Sequence, residues 1–296
     1  MRQQLKVNLA TSVPPKIVRR LPNGLDIGYS YQNRCIHSWG QAGFAVTSLN
    51  PSGETEQIAS LYPDLALAAV EKDAKSMFGR PLIWMSDIMD FLDSADSEIV
   101  GIVNSDVLLD FNDQQIVSTL DVAKDHLVAF NRTEVVHPGQ TAGPLYRYGY
   151  DLYLFPRRFI QCFRMRGFAL GAPWWDYWLL LNALLENLPL MVVQSQSAKH
   201  LTHPNNWNIK SWETTAQCVA ENFRYYRHRS DQHTHNTSQA GFSTLANSIT
   251  DLFVGSLRFD EKSNFLGQSI NHGIGTLLGL SAVRTIEDHA FRLEIS

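Results

Sequence analysis

The sequence predicts an α/β protein with a mostly parallel central sheet flanked by helices. Three observations carry this. Strand and helix signals alternate through the first half of the chain, as they do in doubly wound sheets. Three of the strand signals end in polar residues. And the apolar run Ile99–Val103 stops abruptly at Asn104-Ser105-Asp106.

The elements follow in order. Leu5–Ala10 alternates apolar and polar with period two and reads as a strand. The Pro14-Pro15 pair keeps the next stretch a loop. Ile27–Gly43 reads as a helix closed by Gly43, and Phe44–Asn50 as a strand. Ser52–Tyr62 is a short helix with Ser52 or Gly53 near its cap, and Leu65–Val70 a strand. Arg80–Ala95 reads as a helix with Pro81 in its first turn. Then comes the strand Ile99–Val103. In the second half, Asn112–Lys124 is a helix and His126–Arg132 a strand. The stretch from Thr133 to Gly149 reads as a Gly/Pro-rich loop, and Tyr150–Pro156 as a strand. A helix running to Leu188 and a strand from Pro189 follow, then an irregular polar stretch, Ala198–Asn208. From about Trp212 the tail looks helical, with an amphipathic candidate at Gly241–Leu257 and a weak boundary at Ser230–Gly241. The expected organisation is a catalytic unit over 1–210 and a helical C-terminal extension over 211–296, packed on it.

Composition narrows the class. With 296 residues, 44% of them hydrophobic, the chain buries a large core without disulfides. Cys35, Cys162 and Cys218 lie far apart and form no CxxC pair, which fits a reducing compartment. A net charge of −4 provides no basic field for nucleic acid. The longest apolar run, Trp174–Val193, is interrupted by Asp176, Asn182, Glu186, Asn187 and Pro189. A transmembrane helix needs about 20 nearly unbroken apolar residues. No GxGxxG follows the first strand and no GxxxxGK[ST] occurs, so dinucleotide and P-loop chemistry are poor alternatives.

In a parallel sheet, ligands sit at the carboxyl ends of the strands. Thr11-Ser12, Ser48-Leu49-Asn50 and Asn104-Ser105-Asp106 should therefore share one rim. A strand-end carboxylate beside an amide and a hydroxyl suits Mg²⁺ or Mn²⁺ carried on phosphate oxygens. The tripeptide also reads as an Asx-type turn. Here the chain resembles the glycosyltransferases of the GT-A fold, a Rossmann-like architecture. They share the four-strand opening and carry a DxD-type motif after the fourth strand. The resemblance implies that Asn104, Ser105 and Asp106 bind a nucleotide-sugar donor, with Asp106 on the ribose and on a Mn²⁺ or Mg²⁺ ion. Asn104 leaves one anionic ligand fewer than the family motif supplies. Members without metal neutralise the diphosphate with basic residues.

The remaining candidates fall around that rim. Thr11, Ser12, Arg19, Arg34 and Asn50 offer hydroxyl, guanidinium and amide groups to the nucleotide, though some of the arginines equally suit solvated surface. Asp176 opens a helix among Trp174, Trp175 and Trp178, a poor place for a carboxylate with no chemistry to do. It matches the catalytic base of inverting family members, with Trp175 standing where their preceding acid is. Trp174 and Trp175 suit either the stacking of an acceptor sugar or an aromatic core. Asp151 suits either sugar hydroxyls or the opening of a strand. His200 or His203, with His203 preferred, fills the family's metal-ligand or diphosphate position; both also read as plain loop histidines. The basic helix end Asn222–Arg229 reads most simply as dipole complementation.

The resemblance, spanning about Leu5 to His203, implies a hexosyl- or deoxyhexosyltransferase of polysaccharide biosynthesis. It would act on a hydroxyl of a glycan or lipid-linked glycan acceptor, with a cytoplasmic location and peripheral membrane contact. Two alternatives stand beside it. A sugar nucleotidyltransferase would need a Gly-rich basic loop after strand one, and Thr11–Arg20 has no glycine. A non-catalytic glycan-binding relative is consistent with Asn104.

Overall fold

The computed structural model describes residues 6–203, 209–230, 280, 282–288 and 290–293. The first half runs β1 (Val7–Thr11), α1 (Gly28–Gln41), β2 (Phe44–Pro51), α2 (Ser52–Leu61), β3 (Ala66–Val70), α3 (Lys75–Phe78), α4 (Met85–Asp93) and β4 (Ile99–Val103). The second runs β5 (Val107–Leu109), α5 (Asp113–Ala123), β6 (Leu127–Val135), β7 (Leu145–Pro156), a 3₁₀ turn (Arg157–Cys162), α6 (Trp175–Leu185), β8 (Leu190–Val193), β9 (Ala198–Leu201), α7 (Ile209–Ser230) and β10 (Phe291–Leu293).

The main sheet has the order β10-β8-β6-β7-β4-β1-β2-β3, with β5 and β9 attached beside β6. It is mostly parallel, and β7 is the exception on the main path, antiparallel to both β4 and β6. The expected α/β class is what the chain adopts. From β1 the chain winds outward through β2 to β3, then crosses back to lay β4 against the other side of β1. The strand order thus reverses between β1 and β4, which opens a crevice at their carboxyl ends. Thr11 aligns with Ser48 and Ala10 with Ile102, so the three polar strand ends do share one rim.

Both sheet faces are covered, which explains why β4 reads as an unbroken apolar run. Ile99 and Val103 join the core layer beneath α1, with Leu9, Tyr31 and Trp39. Val100 and Ile102 join the opposite layer, with Ile88 and Trp178. Helix α7 extends that layer, as Phe223 and Tyr226 pack on the Trp178 ring. The candidate helix at Gly241–Leu257 and the boundary at Ser230–Gly241 fall almost wholly outside the described residues.

Three expectations need correction. The helix expected from Arg80 begins only at Met85. Residues 83 and 84 are extended instead, because Leu170 donates to the Ile83 carbonyl (2.9 Å) and Met85 donates to the Phe168 carbonyl (2.9 Å). Pro81 therefore lies in a loop. The polar stretch at Ala198 is a strand, paired with β5 and β6. And β6 does not end at Arg132 but continues through Glu134 to Val135. The second and third corrections share one cause. The outer half of β6 and β9 pair with each other, so polar sequence is held extended by its partner rather than by its own propensity.

Gly101 lies where β1, β4 and β7 crowd together. A Cβ there would sit 2.1 Å from the Tyr153 carbonyl oxygen and 2.7 Å from Leu9 Cδ2. Gly101→Ala should therefore lower unfolding stability by about 1–3 kcal/mol, measured by chemical denaturation. A variant as stable as the parent would mean that the central strands are spaced more loosely than described.

Candidate active site

A cleft of about 1010 Å³ opens over the strand ends and is lined by Ser12, Arg19, Asn50, Asn104, Ser105, Asp106, Asp151, Trp174, Trp175, Asp176, His200 and His203, among others. Helix α1 fixes its floor. Tyr31 donates to the Asp106 carbonyl (3.0 Å) and Gln32 to the Ser105 carbonyl (2.6 Å). Two turns on, Trp39 donates to the Val107 carbonyl (2.8 Å). The tripeptide backbone is thus held by one buried helix face, leaving the Asp106 carboxylate free to point into the cleft.

Three cationic or imidazole groups converge on that carboxylate. Arg19 meets Asp106 Oδ2 at 2.5 Å, His203 Nε2 at 3.2 Å and His200 Nε2 at 3.4 Å. Burial alone would raise the Asp106 pKa; His200, His203 and Arg19 outweigh it and hold the carboxyl well below its ordinary range. Arg19 reaches the spot because its loop folds tightly onto the start of α1. The Asp26 carboxylate accepts from the backbone N–H of both Arg19 (3.0 Å) and Gly28 (2.9 Å). Gly28 has no side chain to obstruct this; a Cβ would lie 2.0 Å from the Ile17 carbonyl oxygen.

Glu134 orients His200. Its Oε2 lies 3.1 Å from His200 Nδ1. A carboxylate only accepts, so Nδ1 carries the proton and Nε2 faces Asp106 and His203. Burial would raise Glu134, yet His200 and Arg132 bring it down to about 2. Burial would likewise depress His200, but Asp106 and Glu134 carry it up to about 9.

From Glu134 the polar contacts close into a ring. Arg132 bonds Glu134 at 2.6 Å and Asp151 at 3.2 Å. Asn104 donates through its amide to the other Asp151 oxygen. The circuit therefore runs Asn104–Asp151–Arg132–Glu134–His200–Asp106, beginning and ending on the same tripeptide. It supplies a physical reason for an amide at position 104: an acid there would face the Asp151 carboxylate. A register irregularity at Asn131 sets the direction of Arg132, whose guanidinium lies 4.4 Å over the Tyr146 ring.

Asp176 stands in the first turn of α6, behind Trp174, which has the left-handed φ of 71°. Burial raises its carboxyl to about 7, with the Asp151 charge adding to the effect. Trp174 and Trp175 are buried against Tyr177 and Tyr153 while still bordering the cleft.

Two expected residues lie elsewhere. Arg34 is exposed on α1 and donates to the Pro138 carbonyl (3.0 Å), so it does not line the cleft. Thr11 is wholly buried beneath the rim. Asn50 does line it, but its amide is engaged in fixing the loop, accepting from Ser48 (2.7 Å) and donating to the Val13 carbonyl (2.9 Å). Arg132, Glu134, Tyr146 and Arg80 border or support the cleft without having been anticipated. For Arg132 and Glu134 the i, i+2 spacing was the available signal, hidden by reading Thr133 as the start of a loop.

Asp106, His200 and His203 bring one ligand atom each within 4.8 Å of one another. This mixed oxygen and nitrogen set fits a transition cation such as Mn²⁺ better than Mg²⁺, which favours oxygen ligands and water. Arg19 draws on the same carboxylate oxygen.

No protein-family model matches the chain, and no curated protein matches it either. Solved structures do. The mannosyltransferase PcManGT from Pyrobaculum calidifontis, in complex with GDP-Man and Mn²⁺, is 12% identical over 97% of this chain and 88% of its own, with a TM-score of 0.46. Residues 1–349 of TarS from S. aureus are 13% identical over 96% and 90%, at 0.42. The inositol-1-phosphate CTP transferase from T. maritima is 11% identical over 73% and 97%, at 0.44.

The ring makes Asn104→Asp informative. A new carboxylate would then face that of Asp151, which already shares Arg132 with Glu134, and one of the facing pair would be forced above its ordinary pKa. The variant should lose about 1–3 kcal/mol of stability at pH 7 and recover most of it by about pH 4, as that carboxyl becomes protonated in the folded state and begins to be so in the unfolded one. Thermal melts at the two pH values measure this, and equal stability at pH 7 would refute the ring. The alignments to the mannosyltransferase and to TarS run over nearly the whole chain.

Proposed function

We propose that the chain is a GT-A glycosyltransferase that moves a hexosyl or deoxyhexosyl group from a nucleotide-sugar to a hydroxyl of a glycan or lipid-linked glycan. The observation that carries this reading is one cleft holding two unlike carboxylates. Asp106 is kept ionised among cations, and Asp176 is kept near neutrality by burial. Environments that push two acids apart in this way divide their roles.

On the Asp106 side, the donor diphosphate meets Arg19, whose Nε has no hydrogen-bond partner among the described residues. Asp106, His200 and His203 are the residues that would hold Mn²⁺ or Mg²⁺, which supplies Lewis-acid stabilisation of the diphosphate when bound. Ser12 and Asn50 border the nucleotide end. On the other side, Asp176 accepts the proton of the acceptor hydroxyl as that oxygen forms its bond to the anomeric carbon. The bond from that carbon to the diphosphate oxygen breaks, and its electron pair leaves with the diphosphate. Asp176 and Asp106 lie across the cleft from one another in this scheme, so attack comes from the face opposite the leaving group and the configuration inverts. Asp151, Trp174 and Trp175 border the acceptor end, and of the C-terminal extension the described helix α7 packs on the catalytic unit while β10 joins its sheet. No described helix is long and apolar enough to cross a membrane. Peripheral contact with a lipid-linked acceptor, on the cytoplasmic side, is compatible with that.

Asp176→Asn should abolish transfer, by at least about 10²-fold, while leaving nucleoside-diphosphate binding intact. Undiminished turnover would remove Asp176 from the mechanism. The rate in the parent enzyme should rise with pH through an apparent pKa near 7, since the base must be ionised. Stability should run the other way. A carboxyl whose pKa is raised on folding disfavours the folded state progressively as pH rises from its ordinary 3.8 to about 7. Asp176→Asn should therefore melt higher than the parent above pH 7, and the gain should vanish towards pH 4. A gain that does not depend on pH would show that Asp176 ionises normally.

A further inference from the structure

Arg80 stands on the wall of the cleft formed by Leu170–Trp174 and the start of α6. It is half-buried. Its one described hydrogen bond goes to the Gly171 carbonyl at 3.4 Å, the long limit for such a bond. The other buried or half-buried cations of the cleft are matched: Arg19 with Asp106, and Arg132 with Glu134 and Asp151. Among the described residues no carboxylate lies within ion-pair distance of Arg80. Burial lowers its pKa and no neighbouring charge offsets this. Removing a guanidinium from water without a counter-ion is costly. A cleft that does so, beside the helix bearing Asp176, is prepared for an anion that arrives with a ligand.

We propose that Arg80 binds an oxyanion of the acceptor, a phosphate or a carboxylate, and so selects acidic acceptors over neutral ones. The placement favours acceptor over donor. Arg80 contacts the residues leading into α6, whereas the Asp106 cluster sits at the ends of β4 and β9. The loop conformation at 79–82 serves the same end. Gly79 takes a left-handed φ of 70°, and residues 83–85 are tied to 168–170, so Arg80 is held against the cleft wall rather than released to solvent. The side chain bears on selectivity and not on the chemical step, and the inference rests on the glycosyltransferase reading above.

The test uses the full chain in the presence and absence of saturating nucleoside diphosphate. Glucose, glucose 1-phosphate and glucuronate are titrated calorimetrically into the parent, Arg80→Gln and Arg80→Lys. The parent should bind at least one of the two acidic sugars roughly tenfold more tightly than glucose, as a charge-assisted contact warrants. Glucose 1-phosphate and glucuronate together tell whether the anion recognised is a phosphate or a carboxylate. Arg80→Gln should erase the preference, and Arg80→Lys should retain part of it. The proposal is overturned if the parent shows no preference for either acidic sugar, or if Arg80→Gln keeps it. It is also overturned if Arg80→Gln weakens nucleoside-diphosphate binding instead, which would place Arg80 on the donor. Should no nucleoside diphosphate bind at all, the transferase reading fails, while the acidic-sugar comparison without nucleotide still decides the fate of Arg80.

Discussion

The structure depends on how one half-buried carboxylate is kept charged. Asp106 ends the central strand of the sheet, where the chain's apolar run gives way to polar residues. Leaving its charge unmatched there would cost several kcal/mol. The chain matches it from three directions, with Arg19 from the loop after β1, His200 from β9, and His203 just beyond. Two of these have anchors of their own. Asp26 fixes the Arg19 backbone, and Glu134 fixes the His200 ring. Four segments far apart in sequence are thereby tied to one oxygen, and the cleft owes its shape to that convergence.

The same ring separates the two acids. Arg132 is shared between Glu134 and Asp151, so the charge of Asp151 is only partly neutralised. What remains adds to the burial that raises Asp176. The tripeptide and the start of α6 are thus linked through Asp151, which accepts from Asn104 and whose charge acts on Asp176. An amide at position 104 belongs to this arrangement, since it donates to Asp151 where an acid would repel it.

Much of this was legible in the sequence, and the rest was not for definite reasons. The first four strands and α1 announce themselves because local periodicity and burial agree there. The rim could be inferred because parallel strands place their carboxyl ends together. Asp106 and Asp176 stood out as carboxylates in apolar or aromatic company. Glu134 and Arg132 did not. Their strand is polar and exists through pairing with β9, which itself reads as a loop. Arg80 was hidden by a helix signal that the bridge to residues 168–170 overrides. Arg34 misled because helix position alone does not tell which face meets the cleft. Thr11 misled because the strand end dips below the rim before the chain emerges at Ser12.

The most direct test of this account is calorimetric titration of a panel of nucleoside diphosphates, with and without Mn²⁺, into the parent and Asp106→Asn. If Asp106 organises a diphosphate site, at least one nucleotide binds the parent, Mn²⁺ tightens it, and the substitution removes the Mn²⁺ effect. Absence of binding by every nucleotide, or a Mn²⁺ effect unchanged in Asp106→Asn, would contradict it.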